Sequence, residues 1–183
     1  MEKQSTWQVL SVLNCNDFTE KKNNLTYLSW AHAWGMVKKL FPDANYKVIN
    51  YEGKPYLFDQ DLGYLVTTEV TINGETIPMN LPVMDGANKA QKNIEYTYKV
   101  KDWKTQQMVD KTVVAATMFD INTAIMRCFT KNLAMFGLGH YIYAGEDLPI
   151  TNTEQPTTSE SVNPAISLQI ENCKDLASLK VLF

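Results

Sequence analysis

Two cations, Arg127 and Lys131, stand one helical turn apart at the start of the run RCFTKNLAMFGLGHYIYAGEDLP, residues 127–149. A second group precedes them. Between residues 88 and 111, Lys89, Lys92, Lys99, Lys101 and Lys104 are interleaved with Tyr96, Tyr98 and Trp103. Cations that track a phosphate backbone, with π-faces that stack bases at ~1–3 kcal/mol each, are what binding of a single strand without sequence readout requires. Both groups also have a plainer account. Read alone, the 88–111 segment fits a solvated hairpin equally well, its aromatics covering a core edge. Taken alone, Arg127 and Lys131 fit solvated helix-face charges better than a binding site.

Other chemistries find little support. The phosphate-cradling pattern GxxxxGK[ST] is missing, and Gly137-Leu138-Gly139 closes a helix where a phosphate loop would open one, which argues against ATP-driven work. Only His32 and His140 are available for general-base or metal duty, and neither has a ligand spacing with cysteine or an HExxH context. His32, flanked by Trp30 and Trp34, falls on the surface side of its helix. The acids Asp59, Asp61, Glu69 and Asp85 invite comparison with a two-metal nuclease, but FDQDLG is ordinary turn chemistry. We therefore expect no catalytic residue, no metal and no cofactor.

Net charge is −3, which by itself disfavours nucleic acid, but its distribution is uneven. Residues 144–183 hold six acids against Lys174 and Lys180, whereas residues 1–143 hold 15 basic and 14 acidic residues. An acidic tail on a near-neutral body permits a local basic groove. Nothing approaches the ~18 apolar residues of a membrane span. The opening MEKQSTWQVL lacks signal-peptide features, and the three cysteines, Cys15, Cys128 and Cys173, are sparse and far apart. These observations predict a cytoplasmic protein with free thiols.

These residues must be positioned by a recognisable set of elements. Residues 5–14 read as a short helix capped by Ser5 or Thr6, followed by a polar connector, CNDFTEKKNN. A second helix follows in SWAHAWGMVKKLFPD. Ser29 is its cap, Trp30, Trp34, Val37 and Phe41 form its apolar stripe, Gly35 suggests close packing, and Pro42 is its stop. From residue 45 to 83 the period becomes two: YKVINY and PYLF are strand-like, and Asn73-Gly74 suits a two-residue type I′ turn. That turn sets Ile72 against Glu75, Val70 against Ile77, Thr68 against Met79, Val66 against Leu81 and Tyr64 against Val83. Thr67, Glu69, Thr71, Thr76 and Asn80 fall on the other face. Pro78 and Pro82 then turn their missing donors outward, as an edge strand tolerates. Tyr96, Tyr98 and Val100 suggest one strand of a projecting hairpin. A long helix over residues 120–136, capped by Asp120, buries Ile121, Ile125, Phe129, Leu133 and Phe136 and ends at Gly137. Arg127 and Lys131 share its opposite face with Thr123 and Thr130. Tyr141-Ile142-Tyr143 reads as an aromatic strand pinning the helix to the sheet. These elements form one domain, 1–149. Residues 150–165 have linker composition, and 166–183 a short amphipathic helix with Ile166, Ile170, Cys173, Leu176 and Leu179 on one face.

Three stretches taken in order, NLTYLSWAHAWGMVKKLFPDANYKV, VMDGANKAQK and TMFDINTAIMRCFTKNLAMFGLGHYIYAGEDLP, resemble the Sak-type single-strand annealing proteins of phages and prophages. That group is distantly related to the eukaryotic strand-annealing mediator of recombination. The resemblance covers about residues 5–149. It implies an α+β fold: an antiparallel β-meander (a β-β-β-α core) packed on the long helix, with N-terminal helices and a flexible C-terminal tail. It further implies homo-oligomeric rings or filaments that hold single-stranded DNA in a basic groove between the hairpin and the long helix. Lys131 falls on a basic position that contacts the DNA backbone in the eukaryotic relative, whereas the adjacent basic position is occupied here by Thr130. The function so implied is ATP-independent binding and annealing of complementary strands in phage recombination. Arg127, Lys131, Lys89, Lys92, Lys99, Lys101, Trp103 and Lys104 are the candidate contacts. A single-strand-binding protein or an exonuclease is a candidate partner for the tail. The competing reading is a protein-interaction adaptor acting through its surface and acidic tail.

Overall fold

The long β-hairpin that the sequence marks most strongly sits at the centre of the structure. The structure is a computed structural model that describes residues 4–22 and 25–144. Asn73 and Gly74 both adopt positive φ, 52° and 81°, and join β5 (Gly63–Ile72) to β6 (Glu75–Pro82). The ladder has the expected register from Ile72 opposite Glu75 to Val66 opposite Leu81, and Val83 donates its N–H to the Tyr64 carbonyl at 2.9 Å. Val66, Val70 and Ile72 are buried. On the other face Tyr51, Thr67 and Asn80 are linked by hydroxyl and amide hydrogen bonds of 2.7 Å, so Thr67 is buried too. β3 (Asn45–Val48) and β4 (Leu57–Asp59) pair antiparallel with successive parts of β5 on its other side. β6 is therefore an edge strand, with Pro78 and Pro82 lacking donors on the unpaired side.

Three other elements pack on this sheet or beside it. α1 (Thr6–Leu10) begins at Ser5 with a reciprocal capping box to Gln8. α2 (Trp30–Leu40) buries Ala33 and Val37, with Trp34 and Met36 partly buried. The expected stripe holds at Val37 and partly at Trp34 and Phe41, but Trp30, at the first helical position, is about half exposed, and Ala33 is buried in addition. Ser29 occupies the N-cap without a side-chain bond, and Gly35 has open space where a Cβ would stand, so it is no packing glycine. The long helix α3 (Met118–Met135) starts two residues earlier than expected. Thr117 is its cap, and Asp120, at the third helical position, returns the bond to the Thr117 N–H at 2.8 Å. Ile121, Ile125, Phe129, Leu133 and Phe136 are all buried, and Gly137 at φ 106° ends the helix.

α3 meets the sheet through two apolar clusters. Near the open end of the β5–β6 hairpin, Ile121, Ala124, Ile125 and Cys128 pack with Val66, Leu81 and Val83. Towards the turn, Phe129, Leu133 and Phe136 pack with Val70 and Ile72, together with α1 and α2 residues. Between them a polar stitch crosses the interface. Asn132, fully buried, donates through Nδ2 to the carbonyls of Thr68 at 3.1 Å and Ile77 at 3.0 Å, one on each strand. Its Oδ1 has no hydrogen-bond partner.

Two further expectations are overturned. The polar connector after α1 is a hairpin, β1 (Thr19–Lys22) with β2 (Leu25–Leu28), preceded by a 3-10 turn over Asn16–Phe18. The segment after Gly139 is no strand but a single helical turn, α4 (His140–Tyr143). Gly139 at φ 61° opens it. Tyr141 donates its hydroxyl proton to Asn16 Oδ1 and accepts from the Cys15 N–H, both at 2.9 Å, so α4 is pinned to the N-terminal segment and not to the main sheet. The expected linker at 150–165 and terminal helix at 166–183 lie outside the described residues. Among the described residues no helix is long and apolar enough to cross a membrane.

Candidate nucleic-acid interface

α3 presents Arg127 and Lys131 beside elements that the sequence did not connect with them. The Arg127 guanidinium lies 5.0 Å from the ring centre of Tyr27 on β2, and the Lys131 ammonium 5.7 Å from that of Tyr143 on α4. Both distances are within the ~6 Å range of cation–π attraction. Thr130, expected on the same face, is instead buried, with its hydroxyl donating to the Met126 carbonyl at 2.9 Å. The presented face is thus carried by Arg127 and Lys131, with Thr123 and Phe119 one and two turns earlier and exposed. Burial raises the Cys128 thiol above its ordinary range, a shift opposed by its bonds to Thr68 and by the Lys131 charge.

The second group is built on β7 (Tyr96–Lys101) and β8 (Met108–Val113), a two-stranded antiparallel sheet. Its pleat separates what the sequence interleaves. Tyr96, Tyr98 and Val100 occupy one half-buried face, while Thr97, Lys99 and Lys101 are exposed on the other. Lys99 stands across the ladder from Asp110, and Lys101 from Met108. The tyrosine face receives its cations from the preceding loop: Lys89 lies 5.0 Å from the Tyr98 ring centre and Lys92 5.4 Å from that of Tyr96. Lys111, opposite Tyr98, belongs to this face, although it is not among the candidate contacts read from the sequence.

Backbone bonds hold that loop in place. Asp85 Oδ1 accepts from the N–H groups of Ala87 at 2.9 Å and Lys89 at 2.8 Å. Gln91 donates to the Val83 carbonyl at 2.9 Å, and Ala116, just before α3, donates to the Lys92 carbonyl at 2.8 Å. Lys89 and Lys92 are in this way tied both to the end of the β5–β6 hairpin and to the start of α3. At the tip, Trp103 is 68% exposed, with the Lys104 ammonium 5.0 Å from its ring. The tip turn is organised by Asp102, whose carboxylate accepts from the Thr105 N–H and hydroxyl and from the Lys104 N–H. Those bonds, Thr105's first, hold the carboxyl below its usual range.

Three of the acids weighed for metal chemistry, Asp59, Glu69 and Asp85, have local partners. Asp59 accepts two turn N–H groups, and Glu69 pairs with Lys47 at 2.6 Å. Among the described residues no group of three or more histidines, cysteines or acids could hold a metal ion. His32 is exposed and stacks on Phe18 at 4.4 Å.

The structure therefore sorts the eight candidates into three places. Arg127 and Lys131 lie on α3 over Tyr27 and Tyr143. Lys89 and Lys92 lie over the tyrosine face of the hairpin, with Trp103 and Lys104 at its tip. Lys99 and Lys101 lie on the reverse face, away from the rings.

Residues 5–172 match the family model described as Sak Single Strand Annealing Protein. The match extends past residue 149, where the resemblance of the three motifs stops. No curated protein and no solved structure matches the chain significantly. With the match running over most of its length, the chain belongs to the Sak single strand annealing protein family.

Proposed function

We propose that the protein binds single-stranded DNA along the face formed by α3 and the β7–β8 hairpin, and that it anneals complementary strands without ATP. One observation carries this reading: five of the seven candidate cations, Lys89, Lys92, Lys104, Arg127 and Lys131, sit over aromatic rings. A ring by itself orients a cation without neutralising it. The mechanism is positional. Phosphates are held by cations, bases are left accessible to an incoming strand, and no bond is made or broken. Neighbouring copies in a ring or filament extend the track, as the family resemblance implies, and the work is done in the bacterial host's cytoplasm during phage recombination. Residues 1–149 form the annealing domain, and the segment after it is the candidate contact for a single-strand-binding protein or an exonuclease.

The test is annealing of complementary oligonucleotides followed by gel electrophoresis, with and without nucleotide and at low and high salt. Acceleration independent of nucleotide and suppressed by salt is expected, with log–log binding slopes near −0.7 per neutralised phosphate. Annealing that requires ATP, or that survives Arg127→Ala combined with Lys131→Ala undiminished, would count against the proposal.

A further inference from the structure

We infer that Tyr27 is a positioning residue for strand binding, the seat that holds the Arg127 guanidinium for a phosphate. The inference rests on the reading of this face as a single-strand track and names how one of its contacts is made. Arg127 is half-buried, and the Tyr27 ring, 5.0 Å from the guanidinium carbon, is its one partner among the described residues. Between described residues the one ion pair is Lys47–Glu69. Glu20, directly across the β1–β2 ladder from Tyr27 and exposed, makes no ion pair with Arg127.

This is an unusual arrangement for a half-buried arginine. Guanidinium carries five N–H donors, and a structural arginine would use them on a carboxylate or on backbone carbonyls. Here the guanidinium carbon lies over the ring, and among the described residues no carboxylate or carbonyl takes up the N–H groups. The side chain is restrained before any ligand arrives, so less rotamer entropy is lost when a phosphate accepts two parallel N–H bonds. The ring comes from the β1–β2 hairpin, which is anchored where Ser29 donates to the Phe18 carbonyl at 3.1 Å and Leu28 is buried in the core. One turn further along α3 the Lys131 ammonium lies 5.7 Å from the Tyr143 ring centre.

The assay is fluorescence-anisotropy titration of a single-stranded oligonucleotide across a salt series, using the full chain. Tyr27→Phe keeps the ring and should bind like wild type. Tyr27→Val keeps strand propensity and removes the ring; it should weaken binding roughly three- to tenfold, with a log–log salt slope shallower by up to about 0.7. In an Arg127→Ala background the same substitution should have no further effect, because Tyr27 acts through Arg127. Arg127→Lys, which leaves β2 untouched, should lose affinity several-fold while keeping the slope. Melting curves of each variant show whether the fold is intact. A ring loss that weakens binding equally with and without Arg127, or that leaves the slope unchanged, overturns the inference and makes Tyr27 a base-stacking surface. So does an Arg127→Lys protein that binds like wild type. A wild-type chain that does not bind single strands at all overturns instead the reading beneath it.

Discussion

Asn132 offers the sharpest test of how α3 is seated, because its two ends have opposite status. Nδ2 donates to two carbonyls, Thr68 at 3.1 Å and Ile77 at 3.0 Å, both within the β5–β6 ladder, while the buried Oδ1 has no partner. Replacing Asn132 by Leu removes two hydrogen bonds, about 1–3 kcal/mol together, but also removes the orphaned oxygen, a penalty of about 1–3 kcal/mol. The carbonyls keep their ladder partners, and Leu has the branching and the number of side-chain heavy atoms of Asn, its methyls being bulkier than the amide. The terms nearly cancel, so Asn132→Leu is expected within about 1 kcal/mol of wild type. Asn132→Ala loses the same bonds and leaves a cavity, placing it about 2–5 kcal/mol below the Leu variant. Asn132→Asp removes the donor and sets a carboxyl against two carbonyls, which should cost more than about 3 kcal/mol at neutral pH. Burial favours its protonated form, so its folded-state pKa lies above the unfolded value of about 3.9. Stability of the Asp variant is then greatest in acid and falls as pH rises from there. Urea unfolding at two pH values measures all three. A loss above about 2 kcal/mol for Asn132→Leu, or an Asp variant no worse than Leu, would refute the reasoning.

Gly63 has φ 99°, and a Cβ there would stand 2.5 Å from the Gln91 carbonyl oxygen. Gly63→Ala should therefore destabilise by more than about 2 kcal/mol in chemical denaturation and shift the backbone resonances of the Lys89–Lys92 loop. Burial raises the thiols of Cys15 and Cys128, so in a Cys173→Ser background a thiol reagent should label the native protein slowly and at a rate set by unfolding; fast labelling would place a thiol at the surface. The Asp102 carboxyl is held low by its turn bonds, so the order it gives the tip is full above the unfolded pKa and lost as pH falls through the lowered folded one. The Trp103 indole resonance should move in that acid range, and Asp102→Ala should abolish the transition.

The features legible in the sequence were those decided by neighbours along the chain. Asn73-Gly74, the alternation around it and the paired prolines specify the β5–β6 register locally, and five apolar residues at helical spacing specify the buried side of α3. What escaped was decided across the chain. The β1–β2 hairpin has a polar first strand, TEKK, and only four residues in each strand, so its period does not mark it. Tyr141 could be read as a strand residue because its partners, Cys15 and Asn16, are distant in sequence. Of the candidate site, the cations were visible as types; their sorting by pleat and their aromatic seats were not. Thr130 marks the same limit. Helical position alone sets it beside Arg127, yet the fold buries it.

An acidic chain can still keep a cationic track if its carboxylates are occupied elsewhere, and this one distributes them in that way. Asp59, Asp85, Asp102 and Asp120 each accept backbone N–H bonds in turns or at a helix start, where the carboxylate orders local structure. The cations face rings instead, which restrain them without cancelling their charge. On the proposed reading the track is sparse: two cations on α3 and a few on the hairpin and the loop before it. With so few phosphate contacts per copy, one protomer would hold a strand weakly and release it readily as salt rises. Firm capture would come from many copies on one strand, each raising the effective concentration of the next. Sparse contacts and repetition suit annealing, in which a strand must be held along its length and surrendered once its complement has paired.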